Sequence, residues 1–369
     1  MPLILDHEGT ENVYQRCADN DLTLARIGYT DQLHLQAIIR GASRYAKDNE
    51  ISNLPLGIFA TVGHYIFQQL PRYLEVDFTL PTQGGDPAVY RRLLMRNVKL
   101  ATDVMATLTD PAWSDFGDID LIHHYDHGHH TLPGGILSKD ELLRDKDFIQ
   151  FFSSIMFDDS HSPFEKNLVN SREYREFLLA EGTPKVLEGC LEEVAAGGKG
   201  LEASPFTRPE DIAVYLEKTG YDLVVPNIGT ESVHGQARGV QWDVLEGIKK
   251  LGVGNRLVVH GFSSIRTLAP DDQKRLGPLG CVGMNAFSYI PQGIGRQALE
   301  RAANILKHQD PEKGLPVDFD GDNPVYDETR DANAFFSPLL DQVRDLQVKL
   351  IAESVYEILD NLGYARLGS

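Results

Sequence analysis

Short apolar runs alternate with helical stretches along most of the chain, and that alternation narrows the possible folds more than any other feature. Eight candidate strands fall near Leu22–Tyr29, Leu56–Thr61, Asp118–Tyr125, Phe151–Phe157, Val186–Leu191, Asp222–Ile228, Arg256–His260 and Cys281–Phe287. Between them lie segments such as PEDIAVYLEKTG, where Ile212, Tyr215 and Leu216 recur at i, i+3 and i+4 and so form one buried stripe. Eight such βα units in 369 residues favour a closed barrel over an open doubly wound sheet. The predicted architecture is α/β: a single (β/α)8 TIM barrel spanning residues 1–369, with an acidic surface excursion over 310–331 and a C-terminal helical extension over 335–363.

Composition sets the outer limits. The net charge of −19 repels nucleic acid and anionic lipid, so neither is an expected partner. No apolar run approaches the roughly 18 residues that span a bilayer, and the N-terminus MPLILDHEGTENV lacks the basic flank of a signal peptide. Three scattered cysteines form no CxxC pair, which argues against a disulfide framework or a thiolate zinc site and fits a cytoplasmic location.

Histidine placement carries the chemistry. Five of the 12 histidines crowd into LIHHYDHGHH, Leu121–His130. In a (β/α)8 barrel the active face is built from the C-terminal ends of the strands. Asp126 and His127 follow the third candidate strand, His234 follows the sixth by a short loop, and His260 closes the seventh. A lone histidine at a strand end is more often a hydrogen-bonded core residue than a ligand. Three from separate strands, with an open fourth position, instead describe a catalytic zinc site, with cobalt or iron as alternatives. His123 and His124, alternating along the strand, read as structural or orienting residues, and His129 and His130 as loop residues.

Five segments, HYDHG (His124–Gly128), SSIMFDDS (Ser153–Ser160), TGYDLVVPNIGTESVHG (Thr219–Gly235), RLVVHG (Arg256–Gly261) and GMN (Gly283–Asn285), occur in an order that resembles the class II, zinc-dependent fructose-bisphosphate aldolases. The longer, dimeric branch of that family is the more similar. The resemblance implies that His127, His234 and His260 bind zinc, that Asp126 is the acid/base beside it, and that Asp158 holds the metal in an alternative position. It also implies a carbanion route in which zinc stabilises an enediolate as a Lewis acid. The expected substrate is a small hydroxyketone or aldehyde, phosphorylated or not, and the expected assembly is a homodimer.

Several positions depart from the family pattern. The carboxylate-rich strand reads VLEGCLEEVAAGGKG, where the register leaves Glu188 or Glu192 to supply the metal-side carboxylate, with Glu192 carried forward as the ligand. Lys199 stands where an acid that abstracts the donor proton belongs, and Glu202 is the nearest replacement, with a surface glutamate as the alternative. After His260 the glycine-rich run becomes Gly261-Phe262-Ser263-Ser264, and the polar run after Asn285 becomes Ala286-Phe287-Ser288. Gly235, Arg238, Gly261, Ser263, Asn285 and Ser288 remain as expected substrate contacts. Metal chemistry kept beside an altered anion pocket points to an aldolase-like C–C lyase or aldol synthase acting on something other than fructose 1,6-bisphosphate. A barrel metallohydrolase and a non-catalytic ligand-binding descendant are the competing readings.

Overall fold

The computed structural model describes residues 3–29, 32–60, 87–129, 139–192, 205–230, 239–287, 290 and 338–368. Nine parallel strands are present among them: β1 (Leu3–Ile4), β2 (Leu24–Gly28), β3 (Leu54–Ala60), β4 (Ile119–His129), β5 (Ser154–Asp158), β6 (Val186–Cys190), β7 (Leu223–Val225), β8 (Leu257–Val259) and β9 (Cys281–Ala286). The hydrogen-bonded order is β1-β4-β3-β2-β9-β8-β7-β6-β5, and a further β4–β5 pairing closes the ring, leaving β1 outside it. Strands β2 to β9 therefore close an eight-stranded parallel barrel with helices between the strands. The two-residue β1 pairs only with Leu121 and Ile122, at the start of β4, before β5 takes over as partner from His124 onward.

Each expected strand has a counterpart displaced by a few residues at most, except at the end of β4. There the strand does not stop at Tyr125 but runs on to His129. The pairing with β5 slips between Tyr125 and Gly128, so β4 carries one extra residue, and His127 sits at φ 51° within the slip. Such a bulge re-aims side chains that would otherwise alternate across the sheet. Gly128 completes it, because a Cβ there would lie 2.8 Å from the Met156 carbonyl oxygen.

The helices follow from local sequence. In Pro209–Thr219 the proline occupies the first turn, Glu210 and Asp211 complement the positive end of the dipole, and Gly220 ends the helix in the left-handed conformation at φ 69°. Its buried residues are Ile212, Tyr215 and Leu216, the stripe read from the periodicity, together with Thr219. Ile212 and Tyr215 are fully buried, and each such apolar side chain contributes about 1.5–3 kcal/mol by leaving water.

Helix His7–Asp19, capped by the Asp6 side chain, sends Tyr14 to the inner end of the barrel, where its hydroxyl is 3.3 Å from Arg26. The C-terminal helix Pro338–Asn361 packs on helix Gln32–Asp48, with Tyr45 and Tyr356 edge to face at 4.8 Å between ring centroids. Beyond it, the Tyr364 hydroxyl accepts a hydrogen bond from the Ala25 amide at 2.7 Å and so ties the extension to β2. The acidic stretch 310–331 lies outside the described residues. No helix among the described residues is long and apolar enough to cross a membrane.

Candidate active site

The β4 bulge brings Asp126 and His127 together at the C-terminal mouth of the barrel. His124, Asp126 and Glu188 face inward by strand alternation; His127 joins them only because of the extra residue. From the far side of the barrel come His260, directly after β8, and Asn285 on β9. The ligand atoms of Asp126, His127 and His260 all lie within 4.8 Å of one another. Between the carboxylate of Asp126 and the Nε2 atoms of His127 and His260 the distances are both 3.8 Å.

Each of these side chains is held by a specific partner. The Nδ1 of His127 is 2.8 Å from Asp158 Oδ2, while Asp158 Oδ1 accepts from the amide and hydroxyl of Ser160. Asp158 thus fixes the ring so that Nε2 is the nitrogen left for the site, the usual role of a carboxylate behind a ligating histidine. Asn285 donates to Asp126 Oδ1 at 2.8 Å and lies 3.0 Å from His260 Nε2. Its own Oδ1 is buried and without a hydrogen-bond partner. A buried acceptor left open costs about 1–3 kcal/mol, and beside this cluster a ligand donor would recover that energy.

The electrostatics favour a cation. Three carboxylates, Asp126, Asp158 and Glu188, are buried around the cluster, with the Arg26 guanidinium as the buried cation paired to Glu188. Burial alone would raise Asp126, but His127, His124 and His260 hold its carboxyl well below the usual carboxylate range. Burial would lower His127, yet Asp126 and Asp158 overcome it and push the imidazole up to about 9. His123 is different: it bonds the Phe151 carbonyl through Nδ1, lies with its ring tilted against Phe152, and is lowered by burial to about 3. It is a neutral packing residue.

Imidazole nitrogens and a carboxylate oxygen are the donor set that zinc and its neighbours take, and the buried carboxylates supply negative charge around it. The residues present therefore fit a divalent cation. Of the two glutamates left open by the sequence, Glu188 is the one at the cluster, its Oε1 3.2 Å from His260 Nε2. Glu192 lies past the end of β6 and instead accepts from the Thr207 hydroxyl. The reason is strand length: β6 ends at Cys190, so the inward alternation does not reach residue 192.

Gly261 adopts φ 84° and opens the short helix Phe262–Ile265, which carries Ser263. Phe262 is buried, and its ring is part of the hydrophobic core. Phe287 does narrow the mouth. It lies so close over Gly28 that a Cβ on that glycine would meet the ring at 2.2 Å, and its ring is 6.1 Å from that of Phe59. His234, Gly235, Arg238, Glu202 and Ser288 lie outside the described residues.

Sequence reasoning missed Arg26. It sits in the middle of β2 in LARIG, at 0% exposure, and pairs with Glu188 through two nitrogens at 2.5 and 3.1 Å. A charged residue inside an apolar strand was the available signal. Burial raises the Glu188 carboxyl, but Arg26, His124 and His260 together overcome this and hold it at about 2. A carboxyl depressed on folding adds stability above its unfolded pKa, near 4.3, and that stability is lost as pH falls through the folded value. Denaturant midpoints are therefore expected to drop between about pH 4.5 and 2, and to drop less in the charge-free double variant Arg26→Met/Glu188→Gln. Identical pH profiles for the two chains would show that the pair has no part in acid unfolding.

Comparison with known proteins gives a consistent outcome. The family model for class-II fructose-bisphosphate aldolase matches residues 9–316. Fructose-bisphosphate aldolase of Treponema pallidum (strain Nichols) is 32% identical over 173 residues, 40% of this chain and 47% of that protein. The enzyme of the same name from Staphylococcus aureus (strain Mu50) is 32% identical over 171 residues, 44% of this chain and 56% of its own length. The aligned part thus spans about half the length of these relatives.

Two solved structures share the fold. One is fructose-bisphosphate aldolase from Campylobacter jejuni, with TM-score 0.66 at 18% identity, covering 98% of this chain and 95% of that one. The other is the YdjI aldolase from Escherichia coli K12, with TM-score 0.58 at 16% identity and 98% coverage of both chains. With its barrel, its strand-end histidines and the family match over residues 9–316, the chain belongs to the class II fructose-bisphosphate aldolase family.

Proposed function

We propose that the protein is a zinc-dependent aldolase that breaks or forms a C–C bond next to a ketone, on a substrate other than fructose 1,6-bisphosphate. The observation that carries this reading is the convergence of Asp126, His127 and His260 from two sides of the barrel mouth. His127 and His260 would hold the cation, with His234 as the third imidazole by the order of motifs. When bound, the cation supplies Lewis-acid stabilisation of negative charge on the donor's oxygen atoms.

The chain's own residues do the rest. Asp126, ionised and fixed by Asn285, is placed to take the proton from the hydroxyl on the carbon where the bond breaks, and to return it in the reverse direction. Asp158 keeps His127 oriented. The open Oδ1 of Asn285 is an acceptor for a substrate hydroxyl. Glu202, in the loop expected to abstract the donor proton, completes the proposed proton path, and Arg238, Ser263 and Ser288 are the proposed anion contacts. A homodimer working in the cytoplasm is part of the same reading, supported by the family resemblance and the unpaired cysteines.

The test is solvent exchange. Zinc-loaded protein incubated with hydroxyketone donors in deuterated water is expected to bind about one ion per chain and to exchange a donor proton. Chelation should abolish the exchange and leave the barrel folded by circular dichroism. His260→Ala should abolish both binding and exchange. Exchange that survives full chelation would end the metal reading, whereas solvent oxygen in the products would point to hydrolysis.

A further inference from the structure

Beneath the cluster of Asp126, His127 and His260 lies a buried ion pair that the proposed chemistry does not use. Arg26 and Glu188 are both at 0% exposure. One Arg26 nitrogen donates to Glu188 Oε2 and also lies 3.3 Å from His124 Nε2 and from the Tyr14 hydroxyl; the other donates to Glu188 Oε1 at 3.1 Å. That same Oε1 is 3.2 Å from His260 Nε2. One carboxylate oxygen is thus shared between a fixed guanidinium and a residue of the cation site.

A buried ion pair is a poor stabiliser compared with apolar side chains of similar volume. Its placement against His260 therefore points to a role in the site. Glu188 unpaired would be a strong anionic attraction within a few ångströms of the cation position. The repulsion from Arg26 cancels that attraction. Geometry matters too: with both carboxylate oxygens engaged by the guanidinium, Glu188 cannot swing freely toward the histidines.

We propose that Arg26 is a positioning residue that sets the affinity of the cation site through Glu188, weakening divalent-ion binding and keeping it histidine-centred. The inference rests on the metal reading above.

Zinc affinity of the metal-stripped full chain, measured by competition with a chromophoric chelator, decides it. At low local dielectric a unit charge this near a divalent ion shifts affinity by about tenfold or more. Arg26→Met is expected to bind zinc at least about tenfold tighter, Glu188→Gln at least about tenfold weaker, and the double variant close to the native chain. A purely structural pair would instead make both single variants bind more weakly. Shifts of the same sign, or a double variant as weak as Glu188→Gln, overturn the proposal. Where Arg26→Met gives no cooperative thermal transition, the comparison of Glu188→Gln with the charge-neutral double variant carries the same decision. A native chain that binds no zinc sinks the metal reading itself; a native chain that binds zinc, with variants indifferent to charge, sinks only this inference.

Discussion

Replacement of Asp126 by alanine is expected to lower turnover by about 10²-fold or more, the ordinary scale for a positioned acid/base, while the chain keeps its zinc. The expectation follows from how the carboxylate is held. It is 3.8 Å from the Nε2 atoms of both His127 and His260, beyond direct hydrogen bonding, and its firm contact is the 2.8 Å bond from Asn285. Its side chain is nearly buried, at 5% exposure, so a substrate bound there would meet it with little competing water. Ionisation is the state that accepts a proton, and the three neighbouring histidines hold Asp126 in it. Asp126→Asn keeps the shape and removes the charge, and it should lose turnover to a similar degree. Measuring kcat together with zinc content separates the roles. Loss of zinc in either variant would make Asp126 a ligand, and the proton transfer would have to be assigned elsewhere.

The barrel was legible because its strands are buried on both faces and stand out as apolar runs, and because helix signals such as Pro209 and Gly220 sit at the ends of their segments. What escaped was set by pairing across the sheet. The sequence DLIHHYDHGH reads as a strand ending at Tyr125. Its continuation depends on the slip against β5 and on the left-handed backbone of His127, neither of which leaves a local trace. Arg26 shows the same limit. Its inward direction followed from alternation, but its partner Glu188 is 162 residues away. The choice between Glu188 and Glu192 likewise turned on where β6 ends. Phe262 and Phe287 look equivalent in sequence, each a phenylalanine in place of a smaller or polar residue. One is absorbed into the core and the other leans over the mouth.

Fructose 1,6-bisphosphate is expected to be a poor substrate, with kcat/KM below about 10⁴ M⁻¹s⁻¹, the lower part of the ordinary enzyme range. The argument now rests mainly on Phe287. It stands two residues after Asn285, directly past the end of β9, at a position where the resembled family has a carboxylate. In this chain the ring lies over Gly28 and near Phe59, so that part of the mouth is apolar. A substrate hydroxyl that would donate to that carboxylate loses a charged hydrogen bond here, which weakens binding by roughly 1.5–3 kcal/mol, or about tenfold to a hundredfold. Gly261 and Ser263 follow His260 directly in the chain, and they stay proposed contacts for an anion of different size or placement. The better substrate should therefore be a hydroxyketone-derived compound with an apolar or unphosphorylated group opposite Phe287. Steady-state assays across phosphorylated and unphosphorylated ketols decide the point. Efficient cleavage of fructose 1,6-bisphosphate at or above that value would mean the phenylalanine wall lies clear of the phosphate, and that the ancestral reaction is retained.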